Sequence, residues 1–348
     1  MIREVLSRVE PSTDVFRYVC YEWEQELAKN FGVPVRQMFI VHNLLHDTFG
    51  RSLPSCIIQK ARQVIKRLYM KAAHGRLKQN ISKPLSVYFC TFVPEITLCA
   101  GENSLPIFLD VFSDTDINTL INATQNMSLF YVTSRDIFYR VKAKSPSSRV
   151  RYMPLSVADQ YHSENFAAYR NKFIDVFMPG RGNSVLNKYM LRYAAEHPNI
   201  KYVHRHEPLT SGNWQCSSTD GSISLPLNTR EEYIHVLSSA KVSLVGCSGI
   251  DNASAGANGI CFVTPRFYES AVLGCALIGR YPDNEEFTEL NMRSCCPNIT
   301  SYEQFCHELE RALAQSPEDL YAQNRDFILN SLTSKRAQQL RRDLESLS

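Results

Sequence analysis

The sequence predicts an α/β protein built from two domains with parallel sheets. Its 348 residues exceed what one hydrophobic core usually organises and suit two domains of roughly 150 residues each. Short β-rich apolar runs alternate with stretches whose apolar residues recur at helical spacing, which is the order of parallel sheets joined by helices. The alternation starts again near residue 173, which indicates a second sheet.

In the first half, residues 1–35 are charged and are predicted to be helical. A strand is expected at 36–45 and an amphipathic helix at 55–73. The remaining elements of this half are strands at 85–92, 106–112, 129–133 and 150–155, and a helix at 114–122. The second half is predicted to contain strands at 173–178, 200–204, 241–246 and 275–279. Its predicted helices lie at 185–196, 230–239, 265–273, from 302 onward, and at 334–347. We therefore expect two Rossmann-like domains, 1–155 and 156–333.

Composition excludes several classes of protein. Hydrophobic residues make up 44% and charged residues 21%, as in globular and unlike disordered chains. The net charge of +3 gives no general attraction to nucleic acid, and no aromatic-rich recognition motif accompanies the basic residues. Eleven scattered cysteines without a C-x-x-C indicate reduced thiols. The first residues are acidic where a signal peptide is apolar, so we expect a cytoplasmic protein.

The stretch 261–279 is the most informative for chemistry. Thr264 suits a helix N-cap, and Pro265 suits the first helical position. A helix N-terminus presents free N–H groups and the positive end of the dipole, which fits a diphosphate, and Arg266 would add a cation there. Glu269, one turn further, could accept hydrogen bonds from two ribose hydroxyls. The alternative is a local surface pair of Arg266 and Glu269.

The run Arg266–Ile278 resembles the signature of group-1-like glycosyltransferases of the GT-B fold, in particular the short bacterial members grouped with spore-maturation-type glycosyltransferases. Phe173–Arg181 resembles the opening strand and phosphate loop of their donor domain, and Tyr233–Leu244 resembles the segment before the donor loop. The similarity covers residues 170–348. It implies two Rossmann-like domains facing across a cleft, with the donor in the second and a terminal helix at 334–348 crossing back to the first.

The resemblance implies a nucleotide-sugar site in the second domain. Glu269 would bind the nucleotide ribose, and Arg266 would lie near the diphosphate. The full set of donor-binding residues is Gly180, Arg181, Gly182, Lys188, Ser248, Gly249, Thr264, Arg266 and Glu269. The small residues of 248–259 would let phosphates approach the backbone closely, although a plain flexible loop has the same composition.

Cys261 departs from the family pattern. Many relatives carry a glutamate that would fall at this position, eight residues before the position of Glu269. That acid usually approaches the sugar ring. Its absence removes support for the usual contacts to the donor sugar and for a retaining mechanism.

The motif Asp114-Thr115-Asp116 admits two interpretations. It is either the metal-binding D-x-D of the other main glycosyltransferase fold, or a helix start with Asp114 as N-cap and Asp116 in the first turn. We favour the helix start, because an aspartate at the cap and another in the first turn are ordinary in helices. If the fold is GT-B, we expect neither a metal nor another cofactor, because helix dipoles and cations stabilise the leaving diphosphate. The base that deprotonates the acceptor would come from the first domain. Its candidates, each of which also suits a turn cap or a structural histidine, are His42, His46, Glu95, Asp110 and Asp114.

Residues 48–94 contain no acidic residue. Five cations of the helix predicted at 55–73 lie opposite its apolar face, an arrangement that suits an anionic membrane surface and a lipid-linked acceptor. A helix packed on the core with a solvated basic face is the alternative. The five are Lys60, Arg62, Lys66, Arg67 and Lys71.

The sequence thus predicts a glycosyltransferase that moves a sugar from a nucleotide sugar to a saccharide or lipid-linked acceptor. The resemblance implies a role in bacterial surface polysaccharide synthesis, such as capsule or lipopolysaccharide. If the basic helix binds a membrane, the protein would act at the inner face of the cytoplasmic membrane. Two alternatives stay open, a sugar-nucleotide epimerase of the same fold and a non-catalytic scaffold. A nicotinamide dehydrogenase is disfavoured because no G-x-G-x-x-G follows the strands.

Overall fold

The structure, a computed structural model, describes residues 1–7, 15–37, 79–90, 103–109, 111–163, 169–180, 182–205, 214–247, 249–251 and 259–347. The chain forms two compact units. The first unit consists of Met1–Glu10, Glu24–Pro154 and Arg336–Ser348, and the second of Pro11–Trp23 and Leu155–Lys335.

The first unit is built on a six-stranded sheet. Its strands are β1 (Ile2–Ser7), β2 (Val35–Gln37), β3 (Leu85–Cys90), β4 (Ser104–Phe108), β5 (Phe130–Val132) and β6 (Val150–Tyr152). They lie in the order β2-β1-β3-β4-β5-β6, and every neighbouring pair is parallel. Strands β3 and β4 are buried along their whole length, as expected for a parallel sheet covered on both faces.

Residues 2–7 form a strand, so the prediction that 1–35 is entirely helical is wrong for this segment. The charges that suggested a helix surface have partners in the sheet. Glu4 lies 2.9 Å from Arg36 Nε on β2 and accepts a hydrogen bond from Ser86 on β3. The hydrogen bond from Arg36 holds the pKa of Glu4 below its ordinary value, against the effect of burial.

Helices α1 (Val15–Phe31), α2 (Asp114–Thr124), α3 (Arg135–Lys144) and α11 (Thr333–Glu345) include residues of the first unit. From Arg336 onward the terminal helix α11 belongs to this unit. Asp343 on α11 accepts a hydrogen bond from the Tyr131 hydroxyl at 2.8 Å and pairs with Arg151, and Gln339 donates to the Tyr152 carbonyl. The predicted return of the last helix to the first domain is therefore confirmed.

The second unit contains its own six-stranded sheet. Its strands are β7 (Ile174–Met178), β8 (Tyr202–Arg205), β9 (Gln215–Ser218), β10 (Ser224–Pro226), β11 (Ala240–Gly246) and β12 (Ala276–Arg280). The order is β10-β9-β8-β7-β11-β12. Strands β8, β7, β11 and β12 are parallel, whereas β9 and β10 form an antiparallel hairpin that the sequence did not predict.

The helices of the second unit begin with α4 (Ser184–Glu196) and α5 (Arg230–Ser238), followed by α6 (Pro265–Val272), α7 (Glu285–Glu289), α8 (Met292–Cys295), α9 (Tyr302–Ala314) and α10 (Pro317–Ser331). The apolar face of α5 packs on the sheet, where Val236 and Leu237 meet Phe177 and Val203 in a buried core. Together the two sheets confirm the predicted α/β class with two Rossmann-like parts.

Two predictions for the first half fall on residues outside the described part. The amphipathic helix at 55–73, with its basic face, lies there entirely, and so does all but the beginning of the strand at 36–45. Among the helices that the structure describes, none is both long and apolar enough to cross a membrane.

Candidate functional site

The order of strands in the second sheet reverses beside β7. After β7 the chain moves to β8 on one side, and β11 later pairs with β7 on the other side. In open α/β sheets, ligands bind outside the carboxyl ends of the strands at such a reversal, because the loops diverge there and leave a crevice. The residues at these two strand ends include Gly180 and Gly182 after β7 and Gly249 after β11, all predicted from the sequence to face the donor.

The side chain of Arg266 lies close over the backbone of Gly180. Its φ of +67° is in the left-handed region that favours glycine. A methyl group at this position would lie 2.5 Å from Arg266 Nη1, which donates a hydrogen bond to the Pro179 carbonyl at 3.4 Å. The structure thus brings Gly180 and Arg266 together, as the predicted donor site requires.

The backbone of Gly249 lies close to that of Ile260, which leaves no room for a side chain at position 249. A methyl group here would lie 2.4 Å from the carbonyl oxygen of Ile260 and 2.8 Å from Cys261 Sγ. Cys261 is buried beside this turn. A side chain at 249 would therefore push the end of β11 away from the segment that leads into α6.

The other predicted donor residues fall in different places. Lys188 is exposed on the second turn of α4. Arg181 and Ser248 lie outside the described residues. Thr264 is the N-cap of α6 and Pro265 occupies the first turn, as predicted. The Thr264 side chain, however, makes no capping hydrogen bond, and its buried Oγ1 has no hydrogen-bond partner among the described residues.

Glu269 lies in a buried ionic cluster. Arg230 Nη2 is 2.7 Å from Glu269 Oε1 and 2.8 Å from Glu22 Oε2. Tyr233 donates to Glu269 Oε2 at 2.9 Å, and Tyr161 donates to Glu22. All three ionic side chains are at most 5% exposed, so the cluster is shielded from water. This placement differs from the surface pair of Arg266 and Glu269 that was the alternative interpretation.

One oxygen of Glu269 has unused capacity to accept a hydrogen bond. Arg230 is at ion-pair distance from Oε1, but no described N–H or O–H group is aligned to donate to it. The ion pair with Arg230 compensates the charge of Oε1, and a carboxylate oxygen can accept more than one hydrogen bond. A ligand hydroxyl could donate to Oε1, and this is what the predicted ribose contact would do.

Sequence reasoning missed Arg230 and Glu22. Arg230 begins α5 directly after Thr229, which caps the helix together with Glu232, and it donates two hydrogen bonds to Glu22. A charged residue in a capped first turn is usually solvated, and the two residues are 208 positions apart. Only the three-dimensional fold could pair them.

The stability contributed by Glu22 is expected to depend on pH. Burial raises the pKa of Glu22 above its ordinary value of 4.5, and this outweighs the hydrogen bond from Arg230. The folded state therefore keeps the proton of Glu22 at pH values where the unfolded chain has lost it. The contribution of this proton to the free energy of unfolding is complete below pH 4.5 and is lost as pH rises through the raised pKa. Urea unfolding of the parent and of Glu22→Gln at several pH values should show a stability difference that shifts in favour of the parent as pH falls. A difference independent of pH would contradict this.

The D-x-D motif forms a helix start, with one correction to its predicted cap. The N-cap of α2 is Ser113, whose hydroxyl accepts from the Asp116 N–H and donates to the Asp116 carboxylate at 2.7 Å. Asp114 is therefore the first helical residue, not the cap, and it pairs with Lys144 at 2.9 Å on the surface. A serine was favoured as cap because its short hydroxyl can exchange both hydrogen bonds with Asp116.

Of the base candidates, only Asp114 lies in the described part of the chain, because His42, His46, Glu95 and Asp110 fall outside it. The hydrogen bond from Lys144 lowers the pKa of Asp114. Within the described ranges, no group of three or more His, Cys, Asp or Glu side chains is arranged to hold a metal ion.

Comparison with solved structures finds several similar chains. A GtfA/B complex matches with a TM-score of 0.47 and 10% identity, over 82% of this chain and 60% of that one. The pneumococcal O-GlcNAc transferase GtfA, in complex with UDP and GlcNAc, matches with 0.46 and 11%, over 80% and 59%. The glycotransferase of kitacinnamycin matches with 0.44 and 13%, over 99% and 100%. This chain thus spans about 60% of the length of the first two.

At identities of 10–13% these similarities concern the fold alone. Neither protein-family profiles nor curated protein sequences give a match.

Proposed function

We propose that this protein is a glycosyltransferase that transfers a sugar from a nucleotide-sugar donor to a saccharide or lipid-linked acceptor. The observation that carries the proposal is the reversal of strand order beside β7, because Gly180, Gly182 and Gly249 lie at that point and Arg266 lies against Gly180. The sequence resemblance predicts that Gly180, Gly182 and Arg266 lie at the donor, and the small residues of the loop 248–259 predict the same for Gly249.

In this proposal the diphosphate binds over the loops after β7 and β11. Glycines there leave room for phosphate oxygens to approach backbone N–H groups. The N-terminus of α6 adds the positive end of its dipole, and Arg266 adds a full charge. These groups stabilise the negative charge that develops on the diphosphate when its bond to the sugar breaks and the acceptor oxygen bonds to the same carbon.

The ribose is assigned to Glu269. Its Oε1 has room for a donated hydrogen bond, while Arg230 and Tyr233 hold the carboxylate in one orientation. Because the carboxylate is shielded from water, the chain around it must open locally before a nucleotide reaches it. The acceptor, contact with a membrane and the surface-polysaccharide pathway stay predictions from the sequence.

A panel of UDP-, GDP- and TDP-sugars, each incubated with the full chain, tests the proposal through release of the nucleoside diphosphate. Slow hydrolysis of at least one donor is expected, since glycosyltransferases pass sugar to water when no acceptor is present. Tight binding of a nucleotide sugar without any turnover would favour the non-catalytic scaffold. Change of the donor into an epimer, without release of diphosphate, would favour the epimerase.

Donor hydrolysis is expected to persist in EDTA. Asp116 is engaged by Ser113 and Asp114 by Lys144, which is the arrangement of a helix start rather than of two metal ligands turned to one ion. The same assay, run with EDTA and then with manganese added back, measures this. Complete loss in EDTA that manganese restores would show that the D-x-D motif holds a metal.

A further inference from the structure

Three side chains form a network at the carboxyl edge of the second sheet. Asp251, beyond β11, accepts hydrogen bonds from Asn183 Nδ2 at 2.8 Å and from Arg280 Nη2 at 2.7 Å, and Arg280 Nε donates to it as well. Arg280 also donates from Nη1 to the Ile299 carbonyl at 2.7 Å. Three of these four hydrogen bonds are therefore accepted by the carboxylate of Asp251.

The network joins the two loops of the proposed donor site. Asn183 directly precedes α4, and its Oδ1 accepts from the N–H groups of Val185 and Leu186 at 3.0 Å each, so both ends of this amide are used. Asn183 is 4% exposed and lies against Gly246, the last residue of β11. The start of α4 and Asp251 are therefore held to each other by Asn183, and the Ser184 hydroxyl adds a longer hydrogen bond of 3.5 Å to the Asp251 carbonyl.

Asp251 occupies a backbone conformation that needs such support. Its φ of +52° is in the left-handed region, which aspartate enters more readily than most residues because its short side chain can hydrogen-bond locally. Non-glycine residues in this region persist where surrounding contacts hold them, and they cluster at ligand sites. The hydrogen bond from Arg280 keeps the pKa of Asp251 below its ordinary value, so the carboxylate stays charged and strongly accepting.

We propose that Asp251, Asn183 and Arg280 are positioning residues that fix residues 249–251, beyond β11, against the start of α4, so that the diphosphate meets preformed backbone. Arg280 acts through Asp251 in this arrangement and does not contact the phosphates, a task that belongs to Arg266. The identity of the ligand rests on the proposed function. The contacts among Asp251, Asn183 and Arg280 do not depend on it.

Binding of UDP, GDP and TDP to Asp251→Asn, Arg280→Gln and the double variant tests this role by calorimetry. The matched control is Arg293→Gln, since Arg293 pairs with Asp283 at 2.8 Å while both side chains are about 70% exposed. Each single variant is expected to weaken binding of the preferred nucleoside diphosphate about tenfold, because a small displacement of a binding loop has effects of that size or larger. The double variant should bind no more weakly than the singles, and the control should match the parent.

Three results would overturn the positioning role. If Arg280→Gln weakens binding while Asp251→Asn tightens it, Arg280 is a phosphate ligand that Asp251 restrains. If both singles bind as the parent does, the network does not serve the ligand at all. A third such result is that Arg280→Lys binds the nucleotide as the parent does while Arg280→Gln binds it more weakly. Only the charge at position 280 would then matter, since lysine cannot reproduce the paired N–H groups of arginine.

Hydrogen exchange in the ligand-free protein gives a measurement that does not depend on the nucleotide. Peptides that cover residues 244–251 should take up deuterium at least several-fold faster in Asp251→Asn and Arg280→Gln than in the parent or in Arg293→Gln. Equal uptake would contradict a positioning role even if nucleotide binding changed. If the parent binds none of the three nucleotides, the proposed function fails, and the exchange result still decides whether the network fixes the loop.

Discussion

Replacing Arg230 by methionine is expected to lower the free energy of unfolding by about 3–5 kcal/mol. The change leaves Glu22 and Glu269 buried within one cluster without the cation that compensates both. Urea unfolding followed by tryptophan fluorescence and circular dichroism measures the loss. Trp23 suits the measurement because it is buried one residue after Glu22 and donates to the Ser156 carbonyl.

The size of this effect should depend on the two carboxylates. The triple variant with Glu22→Gln and Glu269→Gln added to Arg230→Met should recover most of the lost stability, since no uncompensated charge remains buried. The control Arg293→Gln should change the free energy by less than about 1 kcal/mol because its ion pair is exposed. A loss below about 1 kcal/mol for Arg230→Met would show that water reaches the cluster.

Glu269→Gln is expected to weaken nucleoside diphosphate binding by about 1–3 kcal/mol, which corresponds to a factor of roughly 5 to 150. The substitution keeps the shape of the side chain but removes the charged acceptor assigned to the ribose. Calorimetry with UDP, GDP and TDP measures the effect, with Glu231→Gln as control, because Glu231 is exposed on the helix that supplies Arg230. Thermal unfolding of each variant confirms that the protein stays folded. Unchanged affinity of Glu269→Gln for the nucleotides would show that Glu269 does not bind the ribose.

Much of the fold could be predicted because buried parallel strands and capped helices leave local signals. The strands β7, β11 and β12 lie within a residue of their predicted ends, and α6 starts at its predicted cap. Strand β1 could not be recognised, because Arg3 and Glu4 look like the surface of a helix until β2 and β3 supply their partners. The hairpin of β9 and β10 was missed for a different reason, since its three- and four-residue strands carry little apolar periodicity.

The candidate site was only partly predictable. Glycines in loops after strands and a cation at a helix start are local features, and the structure places Gly180 after β7, Gly249 after β11 and Arg266 against Gly180. Their role in donor binding stays a prediction. The partners of Glu269 come from α1 and α5 and are brought together only by the tertiary fold. Arg280 could not be recognised from the sequence either. It is the last residue of β12, and only the tertiary fold brings Asp251 beside it.

Calorimetric titration of the unmodified full chain with UDP, GDP and TDP, each beside its nucleoside, tests whether a donor site lies at this edge of the sheet. At least one nucleoside diphosphate is expected to bind with a Kd between about 1 µM and 1 mM, the usual range for enzyme substrates. The nucleoside without phosphates is expected to bind at least tenfold more weakly, because the loops after β7 and β11 and Arg266 act on the diphosphate. Absence of binding by all three diphosphates, or equal binding of a diphosphate and its nucleoside, would contradict a donor site at this edge of the second sheet.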